Sequence, residues 1–397
     1  MDVLGWAIFV VALLFSVMLH ETGHFVMAKK FGMKVTRYFV GFGPTLWSTW
    51  RGETEYGIKA LPFGGFVKII GMHSLDDVDD PADEPRSFRQ HPAWQRIIVL
   101  CAGSFMHFLL AFLLIFGLAL GVGIENENTT QVGTVTPCVA VNVTRLDNGQ
   151  YCLGSHTKSP SELAGLRVGD QVTSFDGTPV STFTQLHALT TAEPPGSHAT
   201  ITVLRDGKTV TLHATLASVH GYKGGYLGVD AGVVFQTASP WRAVTYSGSA
   251  FGQVLVGSAK AVAALPAALP KLFNKTERAD SAGGQVSSVV GAAQATGAAV
   301  ASNAGWQYKV SFVLLLIASL NIFVGAFNML PLLPLDGGHV AVVIWERVRA
   351  WFARLRGRPD PGMVDIAKLL PASFSIFMVV VCLSLVLVVA DIVNPVY

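Results

Sequence analysis

Charge is what this sequence has least of. Of 397 residues only 14% are Asp, Glu, Lys or Arg, where a soluble globular chain carries about 25%. That shortfall, beside 51% apolar residues and a mean hydropathy of +0.47, excludes a purely soluble protein and a disordered one. A net charge of +2 supplies no field for a polyanion, which excludes nucleic-acid binding. Cysteine is scarce as well, with four in all. Cys101 and Cys382 fall in apolar runs and read as buried side chains, whereas Cys138 and Cys152 lie in a polar segment. No basic run precedes the first apolar stretch, so that stretch reads as a retained span rather than a cleaved signal peptide.

Long hydrophobic runs are what the sequence does have. Four are long enough for a membrane helix, which takes about 20 residues. They are Val3–Leu19, continuing through a polar insert to Ala28, then Ile97–Gly123, Val310–Leu335 and Leu369–Ala390. The third span is taken to run over 310–344. Residues 29–96 hold ten of the 28 Lys and Arg and residues 345–368 hold six, against twelve in the much longer 125–309. The positive-inside rule then puts 29–96 and 345–368 in the cytoplasm, with both termini and 125–309 outside. The expected fold is a multi-pass α-helical membrane protein of four spans with an inserted extracytoplasmic α/β domain. In that oxidising compartment a Cys138–Cys152 disulfide is expected, although spacing alone does not establish it.

Between the spans, Gly57–Gly71 is apolar and punctuated by glycine, and reads as two short strands around a turn. The acidic patch Asp76–Glu84 reads as solvated. Residues 124–235 read as the α/β domain, with a helix at Ser159–Leu166, a strand at Gln171–Phe175, a helix within Val180–Leu189 and a hairpin formed by Ala199–Leu204 and Thr209–Leu216. Residues 236–309, rich in Ala, Gly and Ser, read as a helical linker. Within it 250–269 is either a surface amphipathic helix or a fifth membrane-associated one, and the first is favoured.

The polar insert of the first span is His20-Glu21-Thr22-Gly23-His24. Positions i and i+4 share a helix face, so both imidazoles can bind one zinc ion, and Glu21 stands where it can take a proton from an attacking water. Three ionisable groups inside a span cost about 2.5–3.5 kcal/mol each on insertion scales, so they point to function. Catalytic zinc takes three protein ligands. Asp336, in Leu335-Asp336-Gly337-Gly338-His339, is the natural third, because spans one and three run in the same direction and end at similar depth. Just upstream, Asn328-Met329-Leu330-Pro331 breaks the helix, and Asn328 reads either as a donor to a peptide carbonyl or as a hydrogen-bonded residue at a kink.

These motifs together, with Leu61-Pro62-Phe63-Gly64-Gly65-Phe66-Val67-Lys68, resemble the site-2 protease family of intramembrane zinc metalloproteases. Ser159–Asp170 resembles the helix-turn of a PDZ domain, which the bacterial regulatory branch carries between its second and third spans. The resemblance implies one Zn2+ bound by His20, His24 and Asp336, with Glu21 as general base. It also implies that Asn328 and Pro331 position substrate, and that the membrane-reentrant β element, with Gly64, Gly65, Phe66 and Val67, holds it extended. Implied partners are single-pass substrates of the anti-sigma-factor type, remnant signal peptides, peptide C-termini at the PDZ domain, and membrane lipid in a bacterial plasma membrane. The PDZ domain would serve as a size filter or a sensor of new C-termini. One departure is Ala102-Gly103-Ser104-Phe105-Met106-His107, where the family usually carries Ala-Gly-Pro and then Asn. His107 reads either as an ordinary hydrogen-bonded residue or as a partner of the zinc site, and His339 as a neighbour of Asp336 rather than a ligand. His187 and His198 read as surface residues. The alternatives to an endopeptidase are a catalytically silent membrane scaffold or chaperone with a PDZ domain, and a metal transporter. The complete ligand set weighs against the first, and the poverty of polar groups in spans two and four against the second.

Overall fold

The computed structural model describes residues 3–72, 80–125, 129–139, 157–219, 224–232, 234–273, 287–302, 304–364 and 370–394. The chain forms two compact units, one of Val122–Ala238 and one of the sequence on either side of it.

The larger unit opens with α1 (Val3–Lys30), whose last turn carries Lys29 and Lys30 at the negative end of the helix dipole. A pair of long strands follows, β1 (Val35–Arg51) and β2 (Thr54–Ile69), and then α2 (Ala93–Gly121) packs against α1. The smaller unit contributes α3 (Pro160–Leu163) and α4 (Phe183–Ala192). The larger unit then resumes with α5 (Pro240–Ala268), α6 (Val289–Ala301), α7 (Trp306–Asn328), α8 (Asp336–Leu355) and α9 (Leu370–Val393).

Five of these helices are long and apolar enough to cross a membrane, where the sequence suggested four. The addition is α5. Its Tyr246, Ala250, Phe251 and Val254 pack against Ala111 and Ile115 of α2 and Ala318 and Ile322 of α7, while most of its other residues are exposed. Phe251 stands edge-on to Phe108, with ring centroids 5.5 Å apart. The third span, expected over 310–344 with a break at its prolines, is two helices. α7 stops at Asn328, and Asp336 begins a new helix after a loop containing Pro331 and Pro334. Each proline lacks the N–H that would continue the ladder.

β1 and β2 do not form a simple hairpin. Arg37–Val40 has partners on both sides, Lys68–Gly65 in falling order and Glu55–Ile58 in rising order, while Trp47–Arg51 pairs with Ile58–Thr54. The run 57–71 therefore contains two paired stretches, and β2 changes partner between Leu61 and Gly65. Gly64 sits in that change with φ +96°, a conformation that only glycine adopts cheaply. A buried cluster including Ala28, Met33, Val35, Ile69, Leu100 and Val343 locks α1, the strands, α2 and α8 together. At the tip between the strands, Glu53 accepts hydrogen bonds from Lys29 Nζ (2.7 Å) and from both terminal nitrogens of Arg86 (2.7 and 2.8 Å). The Arg86 guanidinium and the Lys29 ammonium hold that carboxyl down at about 2.

In the smaller unit four strands lie in the order Lys208–Thr215, His198–Arg205, Gln171–Phe175, Thr178–Pro179. Val172, Ile201 and Val203 alternate onto its buried face and share a core with Leu186 of α4, each worth about 1.5–3 kcal/mol against exposure. Ser159 caps α3 by accepting from Glu162 N at 3.1 Å. Asp170, 2% exposed, is gripped by Arg205 Nε and Nη2, both at 2.7 Å. Burial would raise its pKa, yet the Arg205 hydrogen bonds and the Arg167 amide outweigh burial and hold it below the usual carboxylate range. His187 and His198 are both exposed. Cys138 is disulfide-bonded, and Cys152 lies outside the described residues, as does the 76–79 part of the acidic patch; of its described acids Asp83 pairs with Lys34 and Glu84 with Arg89, where the sequence suggested a solvated patch.

Candidate metal centre

α1 presents His20 and His24 one turn apart, both 8% exposed, with their Nε2 atoms 3.1 Å from each other. Asp336, the first residue of α8, brings Oδ2 to 3.3 Å from His20 Nε2 and 3.4 Å from His24 Nε2. Ligand atoms about 2.0–2.1 Å from one tetrahedral zinc stand about 3.3 Å apart, so these three form one face of such a site. His24 Nδ1 donates to the Val99 carbonyl at 2.8 Å, which leaves the Nε2 lone pair facing inward. Asp336 Oδ2 is buried without a hydrogen-bond partner. Three lone-pair donors converging in a dry site suit a cation. Among the described residues they are the group of His, Cys, Asp and Glu side chains able to hold a metal ion.

The rings fit because α2 has no side chain opposite them. A Cβ on Gly103 would lie 2.4 Å from His24 Nε2 and 2.5 Å from His20 Cε1. Asp336 is seated by a similar close approach, since a Cβ on Gly337 would meet the Met329 carbonyl at 2.3 Å. The loop after α7 thus folds back on the first turn of α8. Asn328 ends α7 half-buried, Pro331 is exposed in the loop, and His339 is half-buried on the first turn of α8.

Glu21 lies on the side of α1 that faces β2. A Cβ on Gly65 would come 3.5 Å from Glu21 Cγ, and the Val67 backbone is in hydrogen-bonding reach of its carboxyl. Gly64 approaches Val17 of the same helix, and Phe66 stacks on Phe39 with ring centroids 5.6 Å apart. Of the strand residues singled out in the sequence, Gly65 and Val67 therefore border Glu21, while Gly64 and Phe66 meet Val17 and Phe39.

His107, weighed in the sequence as a hydrogen-bonded residue or a partner of the zinc site, lies behind His20 in a polar network with Ser16 and Asn321, which the sequence does not single out. The His107 ring centroid is 5.0 Å from that of His20. His107 Nδ1 donates to Asn321 Oδ1 at 2.8 Å and lies 3.0 Å from Ser16 Oγ, which itself donates to Asn321 Oδ1. Asn321 Nδ2 donates to the Ile317 carbonyl at 2.8 Å, which fixes the amide's orientation. A lone amide in the apolar run of α7 was the available signal.

Two imidazoles and a carboxylate converging inside apolar helices, with a glutamate adjoining the first imidazole, define a metal-dependent hydrolase of the membrane. The chain matches peptidase family M50 over residues 8–359 and belongs to it, the site-2 protease family, as a zinc metalloprotease. It is 38% identical over 418 aligned positions to "Zinc metalloprotease Rip1" of Mycobacterium tuberculosis (strain ATCC 25618 / H37Rv), covering 100% of this chain and 99% of that relative. The protein of that name from Mycolicibacterium smegmatis is 36% identical over 410 positions, covering 99% and 98%. "Putative zinc metalloprotease FN1322" of Fusobacterium nucleatum is 28% identical over 339 positions, covering 85% and 87%.

Proposed function

We propose that this membrane zinc metalloprotease cleaves peptide bonds within the transmembrane segments of single-pass proteins, with His20, His24 and Asp336 holding the zinc and Glu21 as general base. The observation that carries the reading is the triangle of donor atoms, 3.1–3.4 Å on a side, set into apolar helices. When bound, zinc supplies Lewis acidity toward the scissile carbonyl and makes water nucleophilic near neutral pH. Glu21 takes the proton of the attacking water and delivers it to the amine nitrogen as the C–N bond breaks. Asn328 and Pro331 help seat the segment beside Asp336.

A substrate helix must unwind first, because its amides are already hydrogen-bonded. The Gly65–Lys68 stretch is paired with Val40–Arg37 along one edge, and among the described residues its other edge has no strand partner. That edge, reaching Glu21 at Val67, suits β-augmentation of an unwound segment, with Gly64, Gly65, Phe66 and Val67 in contact with it.

The smaller unit is read as a PDZ domain. A groove of about 200 Å³ runs between α4 and residues 226–231, lined by Phe183, Leu186, His187, Leu227 and Val229, and would take peptide C-termini. The basic segments 29–96 and 345–368 place the metal end of the bundle toward the cytoplasm, with the PDZ domain outside. Substrates of the anti-sigma-factor type and remnant signal peptides fit such a plan. The test is a Glu21→Gln chain expressed in cells and compared with the unaltered protein by membrane proteomics. Uncut transmembrane fragments should accumulate while zinc content stays the same. Normal processing in the Glu21→Gln cells would overturn the assignment.

A further inference from the structure

α8 has two opposite faces. Val343, Glu346 and Ala350 are buried, and Glu346 is held by Arg96 Nη1 at 2.9 Å and by the Val364 amide at 3.0 Å. The outward face is apolar as well. Ile344, Trp345, Trp351, Phe352 and Leu355 are 46–64% exposed. At 100° per residue these five fall within about 120° of one another, opposite the buried face. Arg347 and Arg354 flank the stripe on one side, Arg349 and Arg356 on the other, and Arg358 follows. Glu346 is the only acid between Gly337 and Pro359, and it is already engaged. Among the described residues no ion pair involves Arg347, Arg354, Arg356 or Arg358.

An outward apolar stripe flanked by unpaired arginines on both sides has the composition of a helix lying at a membrane–water boundary. Its apolar face enters the acyl region while the guanidinium groups reach for phosphates. The stripe does not stand alone. Arg96, one turn into α2, fixes the middle of α8, and on the same turn Trp94 and Ile98 are 56% and 40% exposed. An acidic protein partner would use the arginines but would give the three aromatic rings between them no apolar medium to enter.

We propose that Ile344–Arg358 is a docking surface for anionic phospholipid, with Trp345, Trp351 and Phe352 in the bilayer and the flanking arginines on the headgroups. The proposal rests on the reading of the chain as embedded in a membrane, and not on its cleaving anything there. Because α8 begins with Asp336, headgroup binding acts on the helix that carries the third metal donor.

Full-length protein would be placed in nanodiscs holding equal fractions of phosphatidylcholine and phosphatidylglycerol, with one or the other brominated. The signal from the stripe is the quenching lost in Trp345→Phe/Trp351→Phe. Brominated phosphatidylglycerol should quench it more than brominated phosphatidylcholine, and each arginine replaced by Gln should weaken that preference by about fivefold. Arg347→Gln/Arg354→Gln/Arg356→Gln should abolish it with zinc content unchanged, Lys at the three positions should keep it, and high salt should reduce it in the unaltered protein. Equal quenching by the two lipids in the unaltered protein, or a preference that survives the triple Gln variant, would overturn the proposal. So would tryptophans that neither brominated lipid reaches, which would indicate a protein cover instead. Loss of cleavage by Glu21→Gln has no bearing on this readout, so the two readings fail separately.

Discussion

Gly103→Ala adds one methyl group and should disable the metal centre. Built on the present backbone, the new Cβ lies 2.4 Å from His24 Nε2, 2.5 Å from His20 Cε1 and 2.7 Å from His20 Nδ1, where ordinary contact begins at 3.4 Å. Relief requires a displacement of about 1 Å in both rings, or of α2 away from α1. His24 cannot simply swing aside, because its Nδ1 is tied to the Val99 carbonyl of α2 itself. Zinc sites tolerate ligand shifts of about 0.2 Å. Disturbing the supports of a ligand typically lowers metal affinity by about 10–100-fold, and a 1 Å misplacement of reacting groups costs about 100-fold in rate. Zinc retained after dialysis against a chelator should therefore fall at least about tenfold, and cleavage of a transmembrane substrate in detergent about 100-fold. Helix propensity works the other way, since Ala is better than Gly by about 1 kcal/mol in a helix interior. Gly117→Ala on the same helix meets nothing within 4 Å and serves as the silent control. A Gly103→Ala protein with normal zinc and normal rate would refute both the close approach and the ligand assignment.

Asp336→Ala should strip most of the zinc, as should His24→Ala; full zinc and activity after Asp336→Ala would remove that residue from the ligand set. Val67→Pro deletes the amide beside Glu21 and should sharply lower cleavage of a transmembrane substrate with zinc retained, and unchanged kinetics would rule out pairing to this edge. Arg205→Ala strands a buried carboxylate and should destabilise the smaller unit by about 3–5 kcal/mol, read as faster hydrogen exchange in the strand Gln171–Phe175 of the full chain. Because the folded pKa of Asp170 is depressed, its contribution is complete above the unfolded value of about 3.9 and is lost as pH falls through the folded one. Thiol labelling of denatured protein should find two reactive cysteines without reductant and four with it; four without reductant would exclude a Cys138–Cys152 bridge, whose loop of about 15 residues is worth roughly 3 kcal/mol.

The candidate donors His20, His24 and Asp336, which the fold brings together, were legible in the sequence because their chemistry survives in one dimension. Two histidines four apart and an acid after an uncharged run are informative wherever the chain goes. Ala, Gly and Ser dilute the hydropathy of α5, so the sequence alone does not show that one of its faces packs on α2 and α7 through Tyr246, Ala250, Phe251 and Val254. The break after Asn328 was visible in Pro331 and Pro334, but not that Asp336 would open a fresh helix. Gly103 carried no signal, since what matters there is an atom that is absent. Nor could periodicity reveal that Arg37–Val40 takes partners on both sides, because register across a sheet depends on residues distant in sequence.

The three donors come from two helices that are not neighbours in sequence, so something must hold α1 and α8 in register to within a few tenths of an ångström. The two helices meet at the donors themselves and share a core that includes Ala28 and Val343. The frame is α2. It accepts from His24 at Val99, leaves room for both rings at Gly103, and pairs Arg96 with Glu346 ten residues along α8 from Asp336. A rotation of α8 that moved Asp336 away from the imidazoles would also pull Glu346 from a buried arginine, leaving two charges uncompensated at a cost of about 3–5 kcal/mol. α2 thus holds the imidazoles of α1 at Val99 and Gly103 and the middle of α8 at Arg96, so a helix that offers no donor of its own sets the spacing of the three that do.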